Sequence, residues 1–219
     1  MDIDEDLDFF EEEFTQEVVT VSDPLEPINR VMFKVNNTLY YVILKPIGRG
    51  YKAVVAEPIR VCINNFFDNL ATPVRLTNCL LQGKGKKAGT ELQRFVINST
   101  EGVLGLGDPA QNKHGIASHD EDLGQTMAVW GWGDGCYLLL PFLGPTTLRD
   151  GVGRFGDRFL NPTQYVEPWE AYIAVSGTSF MNNYSFHLND YDAIMADAID
   201  PYVAMREMYI QYRKKQIEK

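Results

Sequence analysis

Proline limits what this chain can build. Pro46, Pro58, Pro73, Pro109, Pro162, Pro168 and Pro201 fall at the ends or starts of stretches with helical apolar spacing. Proline lacks the backbone donor and clashes with the preceding turn, so it suits a helix start and breaks a helix interior. From about residue 28, Val31, Val35, Leu39, Val42 and Ile43 form one stripe, with Asn29, Arg30, Asn36 and Asn37 opposite; Pro46 stops it. A short segment, 47–57, follows. Ile59, Ile63, Phe66, Phe67 and Leu70 line a helix from Pro58 to about residue 82, which Pro73 kinks or splits. Further helices are predicted over 86–104, 121–129, 169–188 and 190–199, and from Pro201 to a basic end at Arg213, Lys214 and Lys215. Period-two alternation is almost absent. The pattern predicts an all-α fold of about seven to nine helices, many short and proline-bounded.

One stretch departs from that rhythm: CYLLLPFLGPTTLRDGVGRFGDRF, residues 136–159. An apolar arm, 137–143, is followed by the turn signal Gly144-Pro145. Thr147 with Asp150 three residues on is a helix-start signature, since both side chains can accept from free backbone N–H groups. The helix behind it mixes Gly151, Gly153 and Gly156 with Arg149, Asp150, Arg154, Asp157 and Arg158. Glycines so dense predict close backbone packing or a bend. They also spell G-x-G-x-x-G, but a dinucleotide site needs a strand directly before the glycines and a surrounding βαβ unit, and neither is present.

The net charge of −10 belongs to one end. Residues 1–23 hold ten acids and no Lys or Arg, so the remainder carries twenty acids (30 − 10) against twenty bases. Residues 1–22 read as an acidic, solvated tail and 23–219 as one helical domain. A body without basic excess argues against a nucleic-acid partner. The chain shows no signal peptide, which fits a cytosolic protein or a mature domain without its leader. No apolar run reaches the length of a spanning helix. Cys62, Cys79 and Cys136 have no metal or redox spacing and read as small buried hydrophobes.

The chemistry-bearing motifs are few. Gly83-Lys84-Gly85-Lys86-Lys87 is a basic turn, not a P-loop. His114, His119, Asp120 and Asp122 lack ligand spacing on one helix face and read as a polar loop in which Ser118 or Asp120 caps the next helix. No hydrolase or metalloprotease motif is found, and no cofactor or metal is expected. Trp130 and Trp132, among three glycines, suit either a core or a membrane interface. Three classes remain: a lipid hydrolase, a purely structural helical protein, and a membrane-associated lipid handler. Only the last accounts for apolar arms broken by Pro and Gly beside charges that need a watery interior.

Five blocks then carry a resemblance: DPLEPINRVMFKVNNTL (23–39), NNFFDNLATPVRLTNCLLQGK (64–84), RFVINSTEGVLGLGD (94–108), the run from DLGQTMAVWGWGDG to FGDRFLNP (122–162), and DPYVAMREMYIQYR (200–213). In this order, over about 190 of 219 residues, they resemble the MlaA/VacJ outer-membrane lipoproteins. The resemblance implies a ring-like helical body in the bacterial outer membrane, on its periplasmic side, with a central polar channel. It implies association with a trimeric outer-membrane porin. It further implies removal of misplaced phospholipids from the outer leaflet and their delivery to a periplasmic lipid carrier, with no bond made or broken. The family's lipidated N-terminal cysteine has no counterpart near the start, where Cys62 comes first; removal of signal and lipidation site is the expectation.

On this reading Arg149, Asp150, Arg154, Asp157 and Arg158 are the candidates to line a headgroup channel. Tyr137, Leu138, Leu139, Leu140, Phe142 and Leu143 become a membrane-facing arm, Trp130 and Trp132 interfacial residues, and Gly102, Gly105 and Gly107 a mobile gate.

Overall fold

The structure, a computed structural model, describes residues 21–219; the acidic tail before them lies outside the described residues. In chain order it has α1 (Glu26–Leu39), a π-turn (Tyr40–Leu44), α2 (Lys45–Val54), α3 (Glu57–Leu70), α4 (Thr72–Leu81), α5 (Gly85–Thr100) and α6 (Pro109–Asn112). Then come α7 (Leu123–Val129), strands β1 (Tyr137–Leu140) and β2 (Gly144–Thr147), and α8 (Leu148–Asp157). Two 3-10 turns (Arg158–Leu160, Pro162–Tyr165), α9 (Trp169–Phe186), α10 (Asp190–Asp197) and α11 (Pro201–Ile217) complete it. The proline punctuation holds: prolines occupy the first turns of α1, α2, α3, α4, α6 and α11. Pro73 splits the 58–82 stretch into α3 and α4, which meet at Ala71.

The all-α expectation holds apart from one hairpin. β1 and β2 pair antiparallel, Tyr137 opposite Thr147 and Leu140 opposite Gly144. Four residues broken by Pro141 are too few to show alternation. The free edge of β1 is covered by amide side chains one helical face apart on α1. Asn29 donates to the Tyr137 carbonyl (3.0 Å) and accepts from the Leu139 N–H (3.0 Å). Asn36 does the same for the Leu140 carbonyl (2.9 Å) and the Phe142 N–H (3.0 Å). Backbone groups that would otherwise be unpaired are thereby satisfied. Val21 packs on the Tyr137–Tyr202 cluster and the Ser22 carbonyl accepts from Tyr137, so these two residues already belong to the body.

The helices close into a ring. α3 adjoins α4, α4 packs on α7, and α7 on α8; the 3-10 turns lead to α9, which packs back on α3. Arg158 fastens the closure by donating to Gln164 and to the Tyr172 hydroxyl of α9, each at 3.2 Å. A second loop of contacts runs α8–β2–β1–α1 and through the π-turn and α2 to α9.

The partition of residues is inverted relative to a protein in water. Buried polar residues include Asn29, Arg60, Arg75, Asn78, Glu91, Arg94, Asn98, Glu121, Gln125, Arg149, Asp150 and Arg213, whereas few aliphatic side chains are buried. On α5, Glu91, Arg94 and Asn98 face inward while Leu92, Phe95 and Val96 face out. The α1 stripe likewise exposes Ile28, Val31 and Val35. So broad an apolar exterior marks a surface designed for something other than water. Among the described residues no helix is long and apolar enough to cross a membrane.

Candidate functional site: a polar interior enclosed by the ring

The site is built on α8. Thr147 caps it by accepting from the Asp150 N–H at 3.2 Å. Gly153 and Gly156 lie against Gly124 and Leu123 of α7 so closely that a Cβ at either would overlap them. This is the close packing that the glycine density predicts, and the G-x-G-x-x-G spacing serves it.

The first half of α8 and the second half have different roles. Asp150 accepts from Arg213 Nε (2.9 Å) and Nη2 (3.0 Å), from the Tyr209 hydroxyl (2.7 Å) and from Arg149 Nε (3.1 Å). Arg213 also grips Asp122 at 2.6 and 2.9 Å, and Arg149 reaches Asp134 at 2.8 Å. Burial alone would raise the Asp150 pKa; the hydrogen bonds and charge of Arg213, with Tyr209 and Arg149, outweigh it and hold the carboxyl below the ordinary range. Arg149 and Asp150 were candidates for a channel wall, but they form a buried knot tying α8 to α11 and α7. Their charges are satisfied internally and do not face a passage.

Arg154, Asp157 and Arg158 do face a hollow. It measures about 310 Å³ and is walled by Ala71, Val74, Arg75, Asp120, Glu121, Asp122 and Asn161 as well. Asp157 is fixed by the Asn78 amide (2.8 Å) and the Leu123 N–H (3.0 Å). Its burial outweighs both and moves its pKa up. Arg75 is spoken for by Glu91 at 2.7 Å, and Glu121 by Lys84 and Lys87 at 2.9 and 2.7 Å. Burial would raise the Glu121 pKa, and those lysines with Gln82 bring it below the usual value. Two further hollows adjoin. One of about 420 Å³ lies between α3 and α9, lined by Asn64, Phe67, Phe180 and Tyr184, and shares Ala71. The other, about 350 Å³, holds Lys87, His119, Tyr212 and Lys219 and shares Asp120, Glu121 and Gln216. The three share walls, Ala71 between the first two and Asp120, Glu121 and Gln216 between the central one and the last; the central one is charged and the one against α9 part-aromatic.

Several expectations change. Tyr137 and Leu139, read as membrane-facing, are buried (0% and 3% exposed) because β1 lies between α1 and α11, with Tyr202 and Tyr209 against it. Leu138 and Leu140 are half-buried; only Phe142 and Leu143, at the hairpin tip, are exposed. The glycines read as a gate are packing positions. A Cβ on Gly102 would overlap the Asn98 carbonyl, one on Gly105 (φ +89°) would meet Asn69, and Gly107 donates to the Gly102 carbonyl at 2.8 Å. The turn is fastened, with Val103 and Leu104 held at positive φ and exposed. Asp122, not Ser118 or Asp120, caps α7, accepting from the Gln125 N–H at 2.8 Å. Cys79 is buried, but Cys136 is half-buried and Cys62 exposed. Trp130 and Trp132 are exposed.

Arg75, Asn161 and Gln216 were not singled out from the sequence. Arg75 had a signal: a lone charge between Val74 and Leu76 within a helix. Asn161 and Gln216 had none, because only closure of the ring brings them to the hollow.

An apolar exterior around buried charged and polar side chains defines a class: helical bodies whose outer surface suits an apolar surrounding. The MlaA lipoprotein family profile matches residues 21–216. The chain is 32% identical over 193 residues to the intermembrane phospholipid transport system lipoprotein MlaA of Escherichia coli K12, covering 87% of this chain and 76% of that protein. The namesake from Haemophilus influenzae is 32% identical over 202 residues (90% and 80%), and an uncharacterised protein of Rickettsia conorii 34% over 201 residues (91% and 80%). A solved structure from work on the structural basis for maintenance of bacterial outer membrane lipid asymmetry superposes with a TM-score of 0.76 at 32% identity, covering 90% of this chain and 99% of that one. The chain belongs to the MlaA lipoprotein family.

Proposed function

We propose that this protein is the outer-membrane component of a phospholipid transport pathway. It sits in the membrane by its apolar exterior, takes misplaced phospholipids from the outer leaflet, and passes them unaltered to a periplasmic carrier, preserving lipid asymmetry. A trimeric porin is its partner in the membrane. The observation that carries the reading is the inverted partition: exposed aliphatic and aromatic residues, buried charged and polar ones, and adjoining hollows with charged side chains in their walls. A phospholipid needs both surfaces, a charged route for its headgroup and an apolar one for its tails. Arg154 and Arg158 are the headgroup contacts; guanidinium groups suit phosphate because they are always charged and donate in a planar fork. Phe142, Leu143, Trp130 and Trp132 contact the lipid layer.

The test is transfer of labelled phospholipid from vesicles holding the protein to a soluble lipid-binding acceptor. Arg154→Glu with Arg158→Glu is expected to slow transfer at least about tenfold, while the lipid recovered remains intact. Unchanged transfer by the double variant overturns the assignment of the passage. Lysophospholipid or free fatty acid in the recovered material overturns transport without chemistry.

A further inference from the structure

Most charges around the central hollow are ion-paired; among the described residues four are not, Arg154, Asp157, Arg158 and Asp120. Arg75, Glu121 and Asp122 are committed to Glu91, to Lys84 and Lys87, and to Arg213. Asp157 is held by Asn78 and the Leu123 N–H. Among the described residues Arg158 has only the neutral partners Gln164 and Tyr172. Arg154 has one long contact, to the Pro145 carbonyl at 3.5 Å, and among the described residues neither arginine pairs with an acid. The Asp120 carboxylate has no hydrogen bond or ion pair among the described residues, although it lines the same hollow and the next one. Arg154 and Arg158 are four residues apart on one continuous helical stretch, so they share a face. The hollow therefore presents two cations without an acidic partner, Arg154 and Arg158, on one wall, with Asp157 between them tied to neutral donors, and a carboxylate without a donor, Asp120, on another.

We infer that the hollow selects zwitterionic phospholipids bearing a primary ammonium group, with the phosphate held by Arg154 and Arg158 and the ammonium donating to Asp120. This rests on the lipid-passage reading above. A phosphate is anionic and takes the forked donors of arginine. A primary ammonium offers three donors to a carboxylate. An anionic headgroup whose terminal part is a neutral glycerol satisfies the arginines and leaves Asp120 uncompensated beside added negative charge. Favouring one lipid over the other is thus a matter of one exposed ion pair, at most about 1 kcal/mol, or about fivefold.

The experiment loads the full-length protein from mixed micelles of equimolar phosphatidylethanolamine and phosphatidylglycerol with matched acyl chains, and reads the ratio of the two lipids retained after purification. The expected result is about fivefold enrichment of phosphatidylethanolamine. Asp120→Asn is expected to bring the ratio to about one, and Asp120→Lys to invert it. Arg154→Gln with Arg158→Gln is expected to lower retention of both lipids together. Retained lipid without enrichment, or enrichment that survives Asp120→Lys, overturns the selectivity alone. Retention of neither lipid overturns the passage reading and the selectivity with it.

Discussion

At the scale of single residues, the Asp150–Arg213–Asp122 knot decides stability rather than transport. Removing one partner of a buried ion pair strands the other charge, which costs about 3–5 kcal/mol. Arg213→Met is expected to destabilise the protein by that order at neutral pH, measured by denaturant unfolding in detergent micelles. The pH dependence follows in sign. Asp150 has a folded pKa below its unfolded value, so its contribution is present above the unfolded pKa, about 3.9, and is lost as pH falls through the folded one. Asp108 and Glu121 act in the same direction, for burial there too is outweighed by hydrogen bonds and charge. Asp157, raised by burial, acts in the opposite direction: its contribution is full below the unfolded pKa and is lost as pH rises through the folded one. Without Arg213, burial of Asp150 is opposed only by Tyr209 and Arg149, and its pKa moves up. Stability of the wild type is therefore expected to fall on acidification from pH about 5 to about 2, and the gap to Arg213→Met to shrink with it. A gap that is constant with pH removes the knot as its cause.

At the scale of elements, the α7–α8 contact depends on absent side chains. Gly153→Ala puts a methyl group into the Gly124 backbone, and over-packing of this kind costs roughly 1–3 kcal/mol. The loss should appear as a lower unfolding midpoint, while Gly151→Ala, where a Cβ meets nothing closer than 3.8 Å, should be nearly silent. Equal effects at the two positions contradict the packing role. Helix existence, starts and the Thr147 cap were legible in the sequence because prolines and apolar spacing are local signals. The hairpin was half-legible: its turn was marked, but its strands were too short for a period. Which side of each stripe is wet was not legible from spacing, since Leu92, Phe95 and Val96 would repeat identically inside or outside. Of the charged cluster on α8 and the 3-10 turn after it, Arg154, Asp157 and Arg158 meet at the hollow. Arg149 and Asp150 do not, because their partners Arg213 and Asp134 are distant in the chain and give no local sign.

At the scale of the whole molecule, the ring makes sense of its own inversion. Short helices leave polar ends and faces that an apolar surrounding cannot satisfy, so these turn inward and pair, as Arg75 does with Glu91 and Arg94 with Asp108. The hollows beside these pairs keep charged side chains in their walls. Aliphatic residues, displaced from the interior, become the contact with lipid. Closing the ring through Arg158 and α9 rests on neutral partners, Gln164 and Tyr172, and leaves the Arg158 charge at the hollow.

Ala71 is the wall residue common to the central hollow and the hollow against α9, at the α3–α4 junction. Ala71→Trp fills that junction without adding or removing charge. The decisive measurement is the rate at which labelled phospholipid leaves vesicles carrying this variant for a soluble acceptor, with circular dichroism and membrane retention matched to wild type. The passage account predicts that transfer falls at least about tenfold, about 1.4 kcal/mol or more in the barrier. Transfer at the wild-type rate through a folded, membrane-held Ala71→Trp protein would contradict it.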